Sequence, residues 1–264
     1  MTNRTAEPAV RHHASDAPPP AQPGSDAGRP TRKASLIAGV ALLLMSALAG
    51  FGYNFAIHGL VTPGNAARTA QDIMAHKGLF RSGIASLFLV VALDVVVAWG
   101  LYRVFSPVSK GFSALAAWLR LAYAGIFAVA VFQLAGVLRQ LGNGKSLTAS
   151  GADQLHAEAL SGITRFTDIW HAGLILFGLH LLVIAWLAHR SGYVPKLLGV
   201  LIGIAGLGYI YDSIGAFLSH GSWTEVSTVT FIGEFLLAFW LVTRGRRITL
   251  SQPVHRAEPA GAAR

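Results

Sequence analysis

The chain has 264 residues, 53% of them hydrophobic and only 12% charged, about half the charged share of an ordinary soluble domain. Water is therefore not its main solvent, and the absence of cysteine excludes disulfides, thiolate nucleophiles and cysteine metal sites. The formal net charge of +9 would suggest nucleic acid in a soluble protein, but Lys and Arg sit in tails and connecting loops with no aromatic-interleaved basic surface, so the expected partner is the lipid bilayer and not nucleic acid.

Residues 1–34 open with scattered charge and a Pro, Ala and Gly bias that includes Pro18-Pro19-Pro20, the composition of a disordered tail. The first apolar run covers 35–57 behind Arg32 and Lys33. Its first half resembles a signal peptide ending at Ala47-Leu48-Ala49, yet the run continues through Phe51, Tyr53 and Phe55, which favours an uncleaved helix. Further runs at 83–105, 113–138, 169–188, 197–218 and 226–243 are each long enough to cross about 30 Å of hydrocarbon. The expected fold is all-α: a polytopic transmembrane bundle of about six helices over 35–245, followed by a short basic tail over 246–264.

Six spans put both tails on one side. Taking that side as cytoplasmic places Arg29, Arg32, Lys33, Arg103, Lys110, Arg190, Lys196, Arg244, Arg246, Arg247 and Arg256 near inner helix ends, against Arg68, Lys77, Arg81, Arg139, Lys145 and Arg165 in outer loops. The bias predicts both termini inside. Tyr53, Trp170, Tyr211 and Trp223 near outer ends, and Trp99, Tyr102, Trp186 and Trp240 near inner ends, read as interfacial anchors. Two outer loops carry helical signals. Pro63 opens one over 64–76, at its first turn; behind a Ser150 cap, Leu155, Ala159, Ile163 and Phe166 recur at helical spacing in the other, as in a helix lying along the membrane surface.

Gly144-Lys145-Ser146 looks like the end of a phosphate loop, but Arg139 stands where its first glycine is needed and no strand precedes it, so it is discarded. No motif points to a catalytic residue, a cofactor or a metal. His171 and His180, nine residues apart on one helix, point to opposite faces and cannot clamp one ion.

The informative residues are the ionisable ones within spans: Asp94, Arg120, His180, Asp212 and Glu234. A charge near mid-membrane costs from about 2.5 kcal/mol upward, so such groups face the bundle interior or a water-filled cavity. Small residues share their faces, Ser113, Ala117 and Ala124 with Arg120, and Ala205, Gly208, Gly215 and Ser219 with Asp212, as on helix-packing stripes. Gly199, Gly203, Gly206 and Gly208 serve the same close packing. Three carboxyls face one span-centred strong base. Either some carry a proton, or Arg81, Arg103 or His180 reaches in, or a cation binds. Arg120 cannot discard its charge, so it is expected within ion-pair reach of at least one carboxyl.

Several motifs make the stretch from about Arg32 to Gly245 resemble a bacterial family known as domain of unknown function 4386. They are Val61-Thr62-Pro63-Gly64-Asn65-Ala66-Ala67, Gly78-Leu79-Phe80-Arg81-Ser82-Gly83, Leu119-Arg120-Leu121, Phe177-Gly178-Leu179-His180, Ser191-Gly192-Tyr193-Val194-Pro195-Lys196-Leu197-Leu198-Gly199-Val200 and Gly206-Leu207-Gly208-Tyr209. Asp94, Asp212 and Gly233-Glu234 stand where that family is expected to carry acids, while Asn65 replaces an expected acid. The resemblance implies a multipass protein of the bacterial inner membrane and transfers no activity. The expected polar centre is Asp94, Arg120, His180, Asp212 and Glu234, with Arg81 and Tyr209 as accessories.

Two readings of function follow: a small transporter or proton- or ion-linked permeation protein, and a sensor, scaffold or assembly partner with a structural polar centre. A membrane enzyme ranks third, because no nucleophile is singled out. A cavity reaching the carboxyls separates the first two.

Overall fold

The computed structural model describes residues 29–143, 149–219 and 232–245, and every regular element among them is helical. Helix α1 spans Arg29–Ala49 and runs on as π-helical turns over Gly50–Ile57 and a 3-10 turn over His58–Leu60. It is followed by α2 Ala66–Ala75, α3 Lys77–Phe105, α4 Lys110–Asn143, α5 Ala149–Ser191, α6 Lys196–Leu218 and α7 Ile232–Thr243. Five of these segments are long and apolar enough to cross a membrane: α1 with its extension, α3, α4, α5 and α6. The twelve residues of α7 rise about 18 Å, less than a full crossing; positions 226–231 of the sixth predicted span lie outside the described residues, as do the tail at 246–264, Trp223 and the discarded Gly144-Lys145-Ser146. Of the tail predicted over 1–34, residues 1–28 also lie outside them, and 29–34 are not tail but the first turns of α1, with Thr31 and Ala34 buried.

The helix read at 150–166 and the span read at 169–188 are one helix, the 43-residue α5. No breaker interrupts Thr167-Asp168, and the stripe Leu155, Ala159, Ile163 and Phe166 passes without a phase change into Trp170, Leu174, Phe177 and Leu181. Most of it is buried. The amino-terminal part of α5 is therefore not a separate surface helix but runs on along α4 as one helix with the rest. At about 64 Å, α5 is twice as long as the hydrocarbon core is thick.

Neighbours in sequence are neighbours in space. Helix α1 packs on α3, α3 on α4, α4 on α5, α5 on α6 and α6 on α7, and α7 returns to α1, where Ser35 Oγ donates to the Leu241 carbonyl at 3.0 Å. The six form a closed ring, with α2 outside it against α5. Close approach rests on absent side chains. A Cβ on Gly178 would stand 2.6 Å from the Gly206 carbonyl, and one on Gly206 would stand 2.8 Å from that of Gly178, so α5 and α6 meet backbone to backbone.

The resemblance motifs in the loops are largely turn chemistry. Gly64 has φ +74°, a conformation that favours glycine. Pro63 lies ahead of α2 and not in its first turn; the cap is Asn65, whose Oδ1 accepts from the Arg68 amide at 2.9 Å. An Asp caps as well as an Asn, so the replaced acid needs no charge-dependent role. In the α5–α6 turn, Gly192 has φ +70°, Ser191 Oγ bridges the Ala188 carbonyl and the Val194 amide at 2.7 and 3.1 Å, and the Tyr193 hydroxyl donates to the Val104 carbonyl at 2.7 Å. That last bond ties the turn to the end of α3.

Candidate functional site

Depth along the ring decides which polar residues meet. Asp94 lies 11 residues before the end of α3, Arg120 lies 10 after the start of α4 and His180 lies 11 before the end of α5. All three stand about 15 Å above the turn end of the bundle at 1.5 Å per residue. Glu234, nine residues from the end of α7, falls in the same layer, and Asp212 sits about two turns higher on α6.

Arg120 is the hub. It is 2% exposed and Asp94 is 0% exposed; Nη2 of Arg120 stands 2.8 Å from Asp94 Oδ1, which is the ion pair expected of Arg120. The second oxygen, Asp94 Oδ2, is buried without a hydrogen-bond partner among the described residues. Nη1 of Arg120 lies 3.3 Å from His180 Nε2, and His180 Nδ1 lies 2.8 Å from the Ala116 carbonyl. A carbonyl only accepts, so Nδ1 carries the proton and Nε2 offers Arg120 its lone pair. His180 is thus a neutral acceptor that holds the guanidinium in place. Met45 Sδ at 3.9 Å and the Phe177 ring at 5.3 Å complete the shell, leaving Arg120 Nε without a hydrogen-bond partner among the described residues.

Above this layer is an interior cavity of about 440 Å³ to which α1, α3, α4, α5, α6 and α7 all contribute. Asp94, Arg120, Asp212 and Glu234 line it. So do Tyr53, Tyr123, Trp170, Phe177 and Tyr209, a connected aromatic wall in which Tyr53 meets Trp170 edge-on at 4.7 Å across the ring and Trp170 Nε1 donates to the Tyr123 hydroxyl at 3.2 Å. The Tyr209 hydroxyl bonds to the Glu234 carboxyl, whose Oε1 is buried with no partner among the described residues. Beneath Arg120 and His180 the ring is packed with Leu42, Leu101, Leu181, Ile184 and Leu237 around a gap of about 10 Å³, roughly the space of one water.

The structure brings Asp94, Arg120, His180 and Glu234 into one layer and places Asp212 and Tyr209 on the cavity wall. Arg81 is exposed on α3 and does not line the cavity, and Arg103 is exposed as well. His171 lines the cavity although His180 supports Arg120 from below. At about 100° per residue the two stand half a turn apart around α5, so their faces do differ. Among the described residues no cluster is suited to hold a metal.

Sequence reasoning missed the aromatic wall. Tyr123 is one turn beyond Arg120 and Phe177 one turn before His180, so the stripes through the charged residues already carried them. Trp170, read as an interfacial anchor, points inward because it continues the Phe166 to Phe177 stripe. Tyr211, Trp99 and Trp186 are exposed at 56%, 48% and 38%, as anchors are.

Comparison with known proteins gives kinship without chemistry. An uncharacterized protein from Archaeoglobus fulgidus is 37% identical over 166 residues, covering 63% of this chain and 85% of that protein. No solved structure matches. The family model described as domain of unknown function 4386 matches residues 37–245, nearly the whole helical ring with its cavity, and the chain belongs to that family.

Proposed function

We propose that the protein is a small permeation protein or transporter of the bacterial inner membrane, with both termini in the cytoplasm, in which the cavity carboxyls bind a proton or a cation. The observation that carries this reading is the cavity itself: about 440 Å³ of interior space reaches Asp94, Asp212 and Glu234, within the size range of small-molecule sites. Arg120 is paired with Asp94, and the buried Oε1 of Glu234 has no hydrogen-bond partner among the described residues, so a proton or a bound cation can meet it. The leucine-packed layer below Arg120 is the closed end such a protein must open.

The alternative, a sensor or scaffold with a structural polar centre, has one observation in its favour. The Arg120–Asp94 pair is sealed from solvent and braced by His180, as a helix lock would be. The two roles divide cleanly by residue, the lock to Asp94 and Arg120 and the exchange of protons or cations to Glu234 and Asp212.

The test is proton movement in proteoliposomes loaded with a pH-sensitive dye, driven by a potassium gradient with valinomycin. The full chain should accelerate acidification or alkalinisation over protein-free vesicles, and Glu234→Gln should remove at least 90% of the increment, a tenfold loss or about 1.4 kcal/mol in barrier terms. Equal rates with and without protein would favour the structural reading.

A further inference from the structure

The cavity shows not only that something binds but what its chemistry must be. We propose that its occupant is an organic ammonium ion with an apolar or aromatic body, its charge met by Glu234 and its body held by the aromatic wall. This deepens the permeation reading and rests on it.

Three observations converge. The first is charge. Among the described residues Arg120 is the one Lys or Arg on the cavity lining, and its guanidinium is already engaged by Asp94 and His180. An anion would therefore meet the Glu234 carboxyl and a spoken-for cation. A cation meets the reverse.

The second is unmet hydrogen bonding. Glu234 Oε1 and Asp94 Oδ2 are buried and have no hydrogen-bond partner among the described residues, and both residues line the cavity. Buried acceptors without donors are rare and require explanation. An ammonium supplies the missing N–H groups and the compensating charge together.

The third is the wall. Tyr53, Tyr123, Trp170, Phe177 and Tyr209 present rings to the same space, and Phe177 and Tyr209 meet edge-on at 5.3 Å beside Glu234. Aromatic faces next to a carboxylate form the recognition surface for alkylammonium groups, through the ring quadrupole. Inorganic cations make little use of ring faces, because they take six or more oxygen ligands, and among the described residues no cluster suits a metal ion. The size of the cavity also exceeds what one metal ion needs.

The experiment compares three probes that share one aromatic body and differ in charge: 2-phenylethylammonium, 2-phenylethanol and phenylacetate. Binding to the full chain in detergent micelles is read by isothermal titration calorimetry. The ammonium should bind at least tenfold more tightly than the alcohol, and phenylacetate more weakly than either. Glu234→Gln should reduce the preference of ammonium over alcohol to within about twofold, and the ranking of the three probes on the parent chain decides the ligand class if that variant fails to fold. A preference for phenylacetate, equal binding of the ammonium and the alcohol, or no binding of any probe would overturn the proposed ligand class. Proton flux in proteoliposomes persists if only that class is wrong, and vanishes if the permeation reading is wrong.

Discussion

Arg120→Gln and Asp94→Asn test the centre most directly, because each removes one side of the same contact. In Arg120→Gln the Asp94 carboxylate, 0% exposed and without another aligned donor, loses the guanidinium 2.8 Å away. Breaking a buried pair from one side costs about 3 to 5 kcal/mol. For a chain of this size that corresponds to roughly 6 to 20 °C in Tm, measurable by circular dichroism of the full chain in detergent. The two variants should not be equal. Asp94 can relieve its isolation by taking a proton, whereas Arg120 cannot lose one and would keep neutral neighbours, the His180 acceptor at 3.3 Å, Met45 Sδ at 3.9 Å and the Phe177 ring, in place of the carboxylate 2.8 Å away. Asp94→Asn should therefore lose as much stability as Arg120→Gln or more. The double variant should lose less than the two singles added together, by at least about 1 kcal/mol. Two single variants within about 2 °C of the parent, or strictly additive losses, would refute the claim that this pair holds the ring together.

Three further outcomes follow from packing, loop chemistry and charge placement. Gly178→Ala should destabilise by about 1 to 3 kcal/mol, since its Cβ would stand 2.6 Å from the Gly206 carbonyl, whereas Gly203→Ala, with its nearest neighbour at 3.5 Å, should be neutral or stabilising; thermal unfolding of the two side by side decides it. Tyr193→Phe should cost about 1 kcal/mol for its bond to Val104. Burial raises the Tyr193 phenol above its ordinary value, so its contribution is complete below the unfolded value of about 10 and is lost as pH climbs from there through the raised folded value. Denaturation of the parent chain against Tyr193→Phe across that alkaline range should show the gap closing. Reporter fusions placed at Gly192 and after Gly245 should both report the cytoplasm, and a periplasmic signal at either site would overturn the assigned orientation.

What the sequence made legible was periodicity and depth. The apolar runs located α3, α4 and α6 to within a few residues at most ends, and the expense of charge in hydrocarbon singled out Asp94, Arg120, His180, Asp212 and Glu234 before any coordinates. Depth could have gone further: Asp94 and Arg120 are nearly equidistant from the α3–α4 turn, so antiparallel packing obliges them to meet. The continuity of α5 was hidden by a polar stretch around Asp168, which interrupts the apolar run without ending the helix. The aromatic wall was hidden because Tyr and Trp near span ends carry the same signature whether they face headgroups or a cavity. Only the phase of Trp170 relative to Phe166 and Phe177 separates the two.

Closure of the ring was beyond sequence reasoning, and it is what makes the cavity. Six cylinders of equal width in a closed ring surround a gap as wide as one of them, here about 10 Å. Leucines fill that gap on the turn side of Arg120, and on the other side carboxyls and rings leave it open. The space of about 440 Å³ is partly open and carries carboxyls as well as rings on its wall, so water or a ligand can enter it. Water stays where it finds two to four polar partners, and Asp94 Oδ2, Glu234 Oε1 and Arg120 Nε, which have no hydrogen-bond partner among the described residues, are such partners. The charged residues therefore make a solvated or ligand-filled interior tolerable, and the same unbonded atoms that would destabilise a dry bundle are the ones positioned to bind what enters it.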